Sequence, residues 1–243
     1  MTSRICKIAF YFIFIFLVSC NNEEGARQTE GIPKIEYYST GKIKSKKMVN
    51  KRGQKIGIAE EFYDGGQLKK KYTYRNDTLN GEFEAYFENG GIESKGFFWN
   101  DKPVGPTIYY GKDGKIRLYN ELDFNGDIYY VKKYDDNQKV IKEEGVAVSP
   151  NILIYETKKD SLPKDSLVNI FFFYSEPEGS KNTILCYIDS QRVQANYTEH
   201  HLALIQKRFS QSGIHELKVV SILNNEADMQ STKDSIIKKI TIH

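Results

Sequence analysis

From Ile35 to Gly145 the chain alternates short aromatic and β-branched runs with polar, glycine-bearing breaks, which predicts strands joined by tight turns. An aromatic residue stands three or four positions before a glycine, and an aliphatic residue two positions after it. The copies are Tyr38/Gly41/Ile43, Tyr63/Gly66/Leu68, Phe87/Gly90/Ile92 and Tyr110/Gly114/Ile116, with Tyr134/Gln138/Val140 as a degenerate fifth. Steps of 25, 24 and 24 residues separate the glycines, and Gln138 keeps the 24-residue beat. A second series, Gly57, Gly81, Gly105 and Gly126, interleaves with the first. Such a fixed period marks a repeat architecture. Asp64-Gly65-Gly66, Glu88-Asn89-Gly90 and Lys112-Asp113-Gly114 supply the positive-φ positions that hairpin turns need. Asn76–Gly81 and Asn100–Gly105 read as looser return connections, each ended by a glycine of the second series. A lone hairpin is unstable in water, so each unit must stack on its neighbours.

After Gly145 the period stops. Candidate strands follow at Asn151–Tyr155, Leu167–Tyr174, Thr183–Asp189, His201–Ile205, His215–Leu223 and Ile236–Ile242, separated by turns such as Glu176-Pro177-Glu178-Gly179. The fold class is therefore all-β: an elongated repeat sheet of hairpins over 35–145, then a small antiparallel β-sandwich over 146–243. Ser212–Val219 resembles a late strand of immunoglobulin-like envelope domains, although the cysteine pair and core tryptophan of true immunoglobulins are missing.

The first twenty residues follow a different rule. Arg4 and Lys7 precede an unbroken apolar run from Ile8 to Val18, too short for a stable membrane-spanning helix, which needs about 17–25 residues. Leu17-Val18-Ser19-Cys20 resembles the lipobox of bacterial lipoproteins. The resemblance implies a signal peptide over 1–19, and a diacylglycerol and an N-acyl chain (palmitate among them) on Cys20. It places the protein in the cell envelope, lipid-anchored and expected at the outer membrane. More than one acyl chain gives stable anchoring. Residues 20–34 read as the lipidated cysteine and a polar, flexible tether.

Tyr37-Tyr38-Ser39-Thr40-Gly41-Lys42-Ile43 and Tyr109–Ile116 carry a resemblance to the bacterial variant of MORN repeats over residues 35–145. Bacterial proteins with this repeat are often labelled antitoxin-like, and eukaryotic relatives act as membrane-binding or scaffold modules. The resemblance implies architecture more strongly than activity.

Charge excludes one class of function. Loss of Arg4 and Lys7 with the signal takes the net charge from +3 to +1, without the basic excess of a nucleic-acid binder. Of the three cysteines only Cys186 remains for the folded body, in an apolar run that predicts an inert core position. No catalytic motif, metal-ligand spacing or cofactor loop is present; the adjacent His200 and His201 would point to opposite faces of a strand. The protein is read as a non-enzyme with no metal and no cofactor beyond its lipid.

Two candidate surfaces remain. Twelve tyrosines, six phenylalanines and Trp99 lie between residues 35 and 145, and most are expected to form the buried face of the sheet. Tyr38, Tyr63, Phe87, Trp99 and Tyr110 are the candidate binding surface, since a tyrosine ring packs while its hydroxyl stays wet. Lys42, Lys44 and Lys46 alternate onto one strand face, placing them for contact with anionic lipid headgroups or as protection of an edge strand. The expected function is a membrane-anchored binding or scaffold lipoprotein whose repeat sheet contacts a protein partner in the envelope. Alternatives are immunity against an envelope-acting toxin, and glycan or lipid-surface binding.

Overall fold

The computed structural model describes residues 31–155, 162, 164–165, 167–197, 200–226 and 229–243. The expectations placed on Leu17, Val18, Ser19 and Cys20 lie outside the described residues. Residues from Ile32 onward begin with a ten-stranded antiparallel meander in chain order. Its strands are β1 (Ile32–Tyr37), β2 (Ile43–Val49), β3 (Lys55–Phe62), β4 (Leu68–Arg75), β5 (Thr78–Tyr86), β6 (Ile92–Trp99), β7 (Lys102–Tyr110), β8 (Ile116–Leu122), β9 (Ile128–Tyr134) and β10 (Val140–Gly145). The sheet thus starts inside the stretch expected as tether. Ile32, Pro33 and Lys34 pair with Val49, Met48 and Lys47 as an edge strand, where a proline is tolerated and no buried side is needed.

The first glycine series makes the turns as expected. The Tyr63 amide donates to the Gln67 carbonyl at 2.8 Å and Gly66 N donates to Tyr63 O at 2.8 Å, and the same pair of bonds recurs at Gly41, Gly90 and Gly114. Gln138 closes the same turn between β9 and β10 with φ 64°. The second series behaves differently from expectation. The return connections are two-residue hairpin turns, Asn76-Asp77 (φ 50° and 68°) and Asn100-Asp101 (φ 49° and 65°). Asparagine and aspartate adopt this left-handed conformation more readily than other side chains. Gly57, Gly81 and Gly105 lie within strands, at irregularities where the register slips. At Gly81 (φ 137°) a Cβ would stand 2.7 Å from the Thr73 Cβ, so the bulge excludes any side chain there. Gly126 is a turn glycine between β8 and β9, bonded to Asp123.

Successive units are stapled at both ends of their strands. Asp77 accepts from the Lys55 amide at 2.8 Å and donates its own amide to Lys55 O at 3.0 Å; Asp101 repeats both bonds with Leu79. At the other end the Tyr38 hydroxyl donates to Phe62 O (2.6 Å) and the Tyr63 hydroxyl to Tyr86 O (2.8 Å). Tyr63→Phe deletes one such bond and keeps the ring. It is expected to cost about 1 kcal/mol, read as a lowered urea midpoint at unchanged slope.

The expected buried face is absent from the first four strands. Among the described residues nothing covers either side of β1–β4, where only Val49 is buried. Cover begins at β5–β6, where His200 comes 3.8 Å from Glu82 and its ring lies 4.9 Å from that of Phe97. The rings over β1–β4 lie half-buried against neighbouring strands and under lysine ammoniums: Lys46 Nζ stands 5.1 Å from the Phe62 ring, Lys55 4.5 Å from Tyr74 and Lys69 5.3 Å from Tyr63. One row across this layer alternates in sign, Lys46, Glu60, Lys71, Glu84, Lys95, each paired directly with the next. Opposite charges facing across strands each add a few tenths of a kcal/mol to the pairing, replacing part of what a core would supply.

The sandwich has two four-stranded sheets. One runs β11 (Leu153–Tyr155), β12 (Leu167–Phe173), β16 (Leu202–Arg208), β15 (Asn196–Tyr197); the other runs β14 (Gln191–Val193), β13 (Ser180–Ile188), β17 (Gly213–Asn225), β18 (Ser231–Ile242). That is the strand order of immunoglobulin-like sandwiches, with one extra short strand. Strand alternation sends Val168, Ile170 and Phe172 from one sheet against Leu217, Val219, Ile240 and Ile242 from the other. Cys186 joins this core, its thiol pushed up to about 12 by burial, so it stays an unreactive thiol at neutral pH.

Candidate functional site

The two layers meet over β6–β9, where the sheet acquires the core that β1–β4 lack. The junction begins at Gly145 (φ 108°), after which Val146 N donates to Tyr129 O at 3.0 Å. Ala147, Val148 and Ser149 are then fully buried. The Ala147 amide donates to Asp234 at 2.7 Å, and Asn182 donates to the Ala147 and Ser175 carbonyls. Trp99 packs edge-on against Phe124 at a centroid distance of 5.3 Å, and Phe124 lies tilted on Phe173 at 4.7 Å. At Gly105 the backbone of the sandwich comes close: a Cβ there would meet the His200 carbonyl at 3.1 Å and the Phe173 ring at 3.3 Å.

Below the His200-His201 turn lies a carboxylate with no exposure at all. Glu121 of β8 contacts the Tyr119 hydroxyl and His201 Nδ1, and Tyr119 also reaches His201 Nδ1 at 3.1 Å. Burial raises the Glu121 pKa, against the partial relief of His201 and the tyrosine hydroxyls. Burial likewise pushes Tyr119 and Tyr129 well above the ordinary tyrosine range, so both hydroxyls stay protonated donors. His201 takes a left-handed backbone (φ 57°), and its ring stacks on Tyr174 at 5.4 Å and 27°. A non-glycine residue held in this region costs about 1 kcal/mol or more, which the contacts of the ring must offset.

Beside this pair is a cleft of about 500 Å³ between sheet and sandwich. Ile108, Pro106 and Phe83 give it apolar walls, while Glu84, Lys95, Glu176 and both histidines supply polar ones. His200 and His201 thus face one cleft. The expectation that they point apart assumed a strand, whereas β16 begins only at Leu202. Among the described residues no group of three or more His, Cys, Asp or Glu side chains has metal-binding geometry.

The predicted surface residues are dispersed. Tyr38, Tyr63, Phe87 and Tyr110 stand at the glycine-turn end of the strands, whereas Trp99 lies at the opposite end, next to the Asn100-Asp101 turn. All five are half-buried, and the hydroxyls of Tyr38 and Tyr63 are committed to inter-unit bonds. Lys44 and Lys46 share an exposed face of β2 with Met48, but Lys42 belongs to the preceding turn. Sequence reasoning missed a hollow of about 290 Å³ on β4–β7, walled by Tyr72, Phe83, Phe98 and Tyr109 over the small residues Ala85 and Ser94. Phe83 and Phe98 lie 4.9 Å apart in it, and Gly96 makes room, since a Cβ there would meet the Phe83 ring at 2.7 Å.

The family model described as the MORN repeat variant matches residues 55–76 and 79–100. Each match spans one hairpin, β3–β4 and β5–β6, so the chain carries repeats of this kind there. No curated protein sequence matches the chain. Among solved structures, the crystal structure of a mutant of S. aureus TarM in complex with Fondaparinux, alpha-GlcNAc-glycerol and UDP is similar over 57% of this chain. The alignment spans 24% of that chain at 11% identity with a TM-score of 0.22, and it carries no argument.

Proposed function

We propose that this protein is a lipid-anchored, non-enzymatic binding or scaffold protein of the bacterial outer membrane, which holds a protein partner on the uncovered part of its repeat sheet. The observation behind this reading is the single layer β1–β4, uncovered among the described residues. It offers an ordered row of alternating charges, Lys46, Glu60 and Lys71, flanked by half-exposed rings and continued by Glu84 and Lys95 into the cleft beside the sandwich. A preordered sheet binds without a large ordering cost, and aromatic residues with a charged surround suit a protein interface. Cys20 with its acyl chains would supply the membrane attachment, following Leu17, Val18 and Ser19 at the cleavage site. Crosslinking and affinity capture of the tagged protein from its own envelope tests this, with Cys20→Ala as the control for attachment. A stoichiometric protein partner, lost in a Lys71→Glu/Lys95→Glu variant that still folds, is the expected result. Equal capture by the variant would move the contact elsewhere.

The aromatic hollow favours a second reading, glycan capture, because rings lining a concave surface suit the flat faces of sugars. Binding on a polysaccharide array that is lost in Tyr72→Ala would establish it. The lysines of β2 give a narrower possibility, contact with anionic headgroups near the anchor. It predicts vesicle binding that weakens with salt and with neutralisation of Lys44 and Lys46.

A further inference from the structure

We infer that the contact between Glu121 and His201 is a proton-linked latch that seats the sandwich on the repeat sheet and sets the opening of the cleft beside it. Three observations converge. The carboxylate is wholly buried, yet its Oε2 has no partner at hydrogen-bonding distance, and the buried Tyr129 hydroxyl lies beside it. Among the described residues the one side chain of the sandwich that contacts it directly is His201, on a left-handed turn whose carbonyl accepts from Tyr174 N at 2.9 Å. The same histidine and Tyr119 form one wall of the cleft. A purely structural clamp would be cheaper as an apolar contact, since burying a carboxyl whose hydrogen bonds are incomplete costs more than packing a hydrocarbon of equal size.

The groups facing the carboxylate are few. From β8 there is Tyr119, with Asp123 in the turn beyond it. From β9 come Tyr129 and Tyr130, and Lys132, which pairs across strands with Tyr119 but bonds Glu143 at 3.3 Å. From the sandwich come Tyr174, Glu176 and His201. All four tyrosines have raised pKa values and stay neutral, and burial raises that of Glu121, so the linked proton is placed on this carboxyl.

The sign follows from burial. Glu121 holds its proton more tightly when docked than when released, so its contribution is complete below the ordinary glutamate value of 4.5 and is lost as pH rises through the raised value. Acid therefore tightens the seat of the sandwich, and base loosens it and widens the cleft.

The test uses hydrogen exchange at the Tyr174 amide of the full-length protein in detergent between pH 5 and about 9, corrected for intrinsic exchange. One linked proton makes the opening constant rise by up to about tenfold per pH unit in the wild type. Glu121→Gln keeps the shape and removes the titration, and is expected to flatten that dependence to less than about twofold per unit. Equal slopes in both proteins would overturn the latch. Should Glu121→Gln fail to fold, the wild-type Tyr174 amide is compared with the Val219 amide in the sandwich core. An opening constant that rises with pH at Tyr174 alone supports the latch, and equal dependence at both overturns it.

Discussion

Phe172→Ala is expected to destabilise the sandwich by about 3–5 kcal/mol, the cost of deleting a fully buried ring. Phe172 has no exposure, pairs across strands with Ala203, and sits with Val168 and Ile170 on the inward face of β12. Its loss removes the transfer free energy of a ring and leaves a cavity that a small neighbour such as Ala203 cannot fill. Most single domains are stable by only about 5–15 kcal/mol, so this change alone takes away a large share. The damage also reaches the sheet, because the adjoining Phe173 packs on Phe124 at 4.7 Å and approaches Gly105. Urea unfolding followed by far-UV circular dichroism measures it. A loss below about 1 kcal/mol would mean that Phe172 does not sit in a close-packed core.

Gly145→Ala is the second large effect, and it works through the backbone alone. Gly145 has φ 108°, and an added Cβ would stand 2.1 Å from the Tyr129 carbonyl oxygen and 2.7 Å from the Tyr130 Cα. Backbone atoms cannot step aside as a flexible side chain can. The chain must instead swing away from β9, breaking the bond from Val146 N to Tyr129 O and disturbing Ala147, whose amide and carbonyl tie the sandwich to the sheet. The expected cost is at least about 3 kcal/mol, from strain and lost hydrogen bonds together. The diagnostic outcome is structural as well as energetic. Exchange protection should fall at β9, β10 and 146–149 and stay unchanged at β3–β5. A uniform loss across the molecule would contradict a local junction.

Local chemistry made the repeat legible. The aromatic–glycine–aliphatic period fixed the glycine turns, including Gln138, which adopts φ 64° where its predecessors are glycines. The roles of the second glycine series were not legible, because Asn76-Asp77 and Asn100-Asp101 make positive-φ turns without glycine and leave Gly81 and Gly105 for bulges inside strands. Nor was the absence of a covering layer over β1–β4. Rings half-buried beneath lysines give the same alternation as rings buried in a core.

The sandwich strands were readable within a few residues, except the short β14 and β15, which carry too few residues to show a period. The Glu121–His201 contact joins residues 80 apart in the chain. No local pattern announces such a pair. Its one trace in the sequence is an acid, Glu121, directly before Leu122 in a strand otherwise rich in apolar residues.

The most direct test of the account places a photocrosslinker on the protein in its native envelope, at Glu60 or Lys71 in the single layer and at Ile214 on the exposed face of the sandwich. Ile214 is 69% exposed and serves as a reference more accessible than either half-buried repeat position. A single discrete protein adduct from Glu60 and Lys71, and none from Ile214, is the result the account predicts. An adduct from Ile214 alone, or none from the repeat positions in correctly anchored protein, would contradict it.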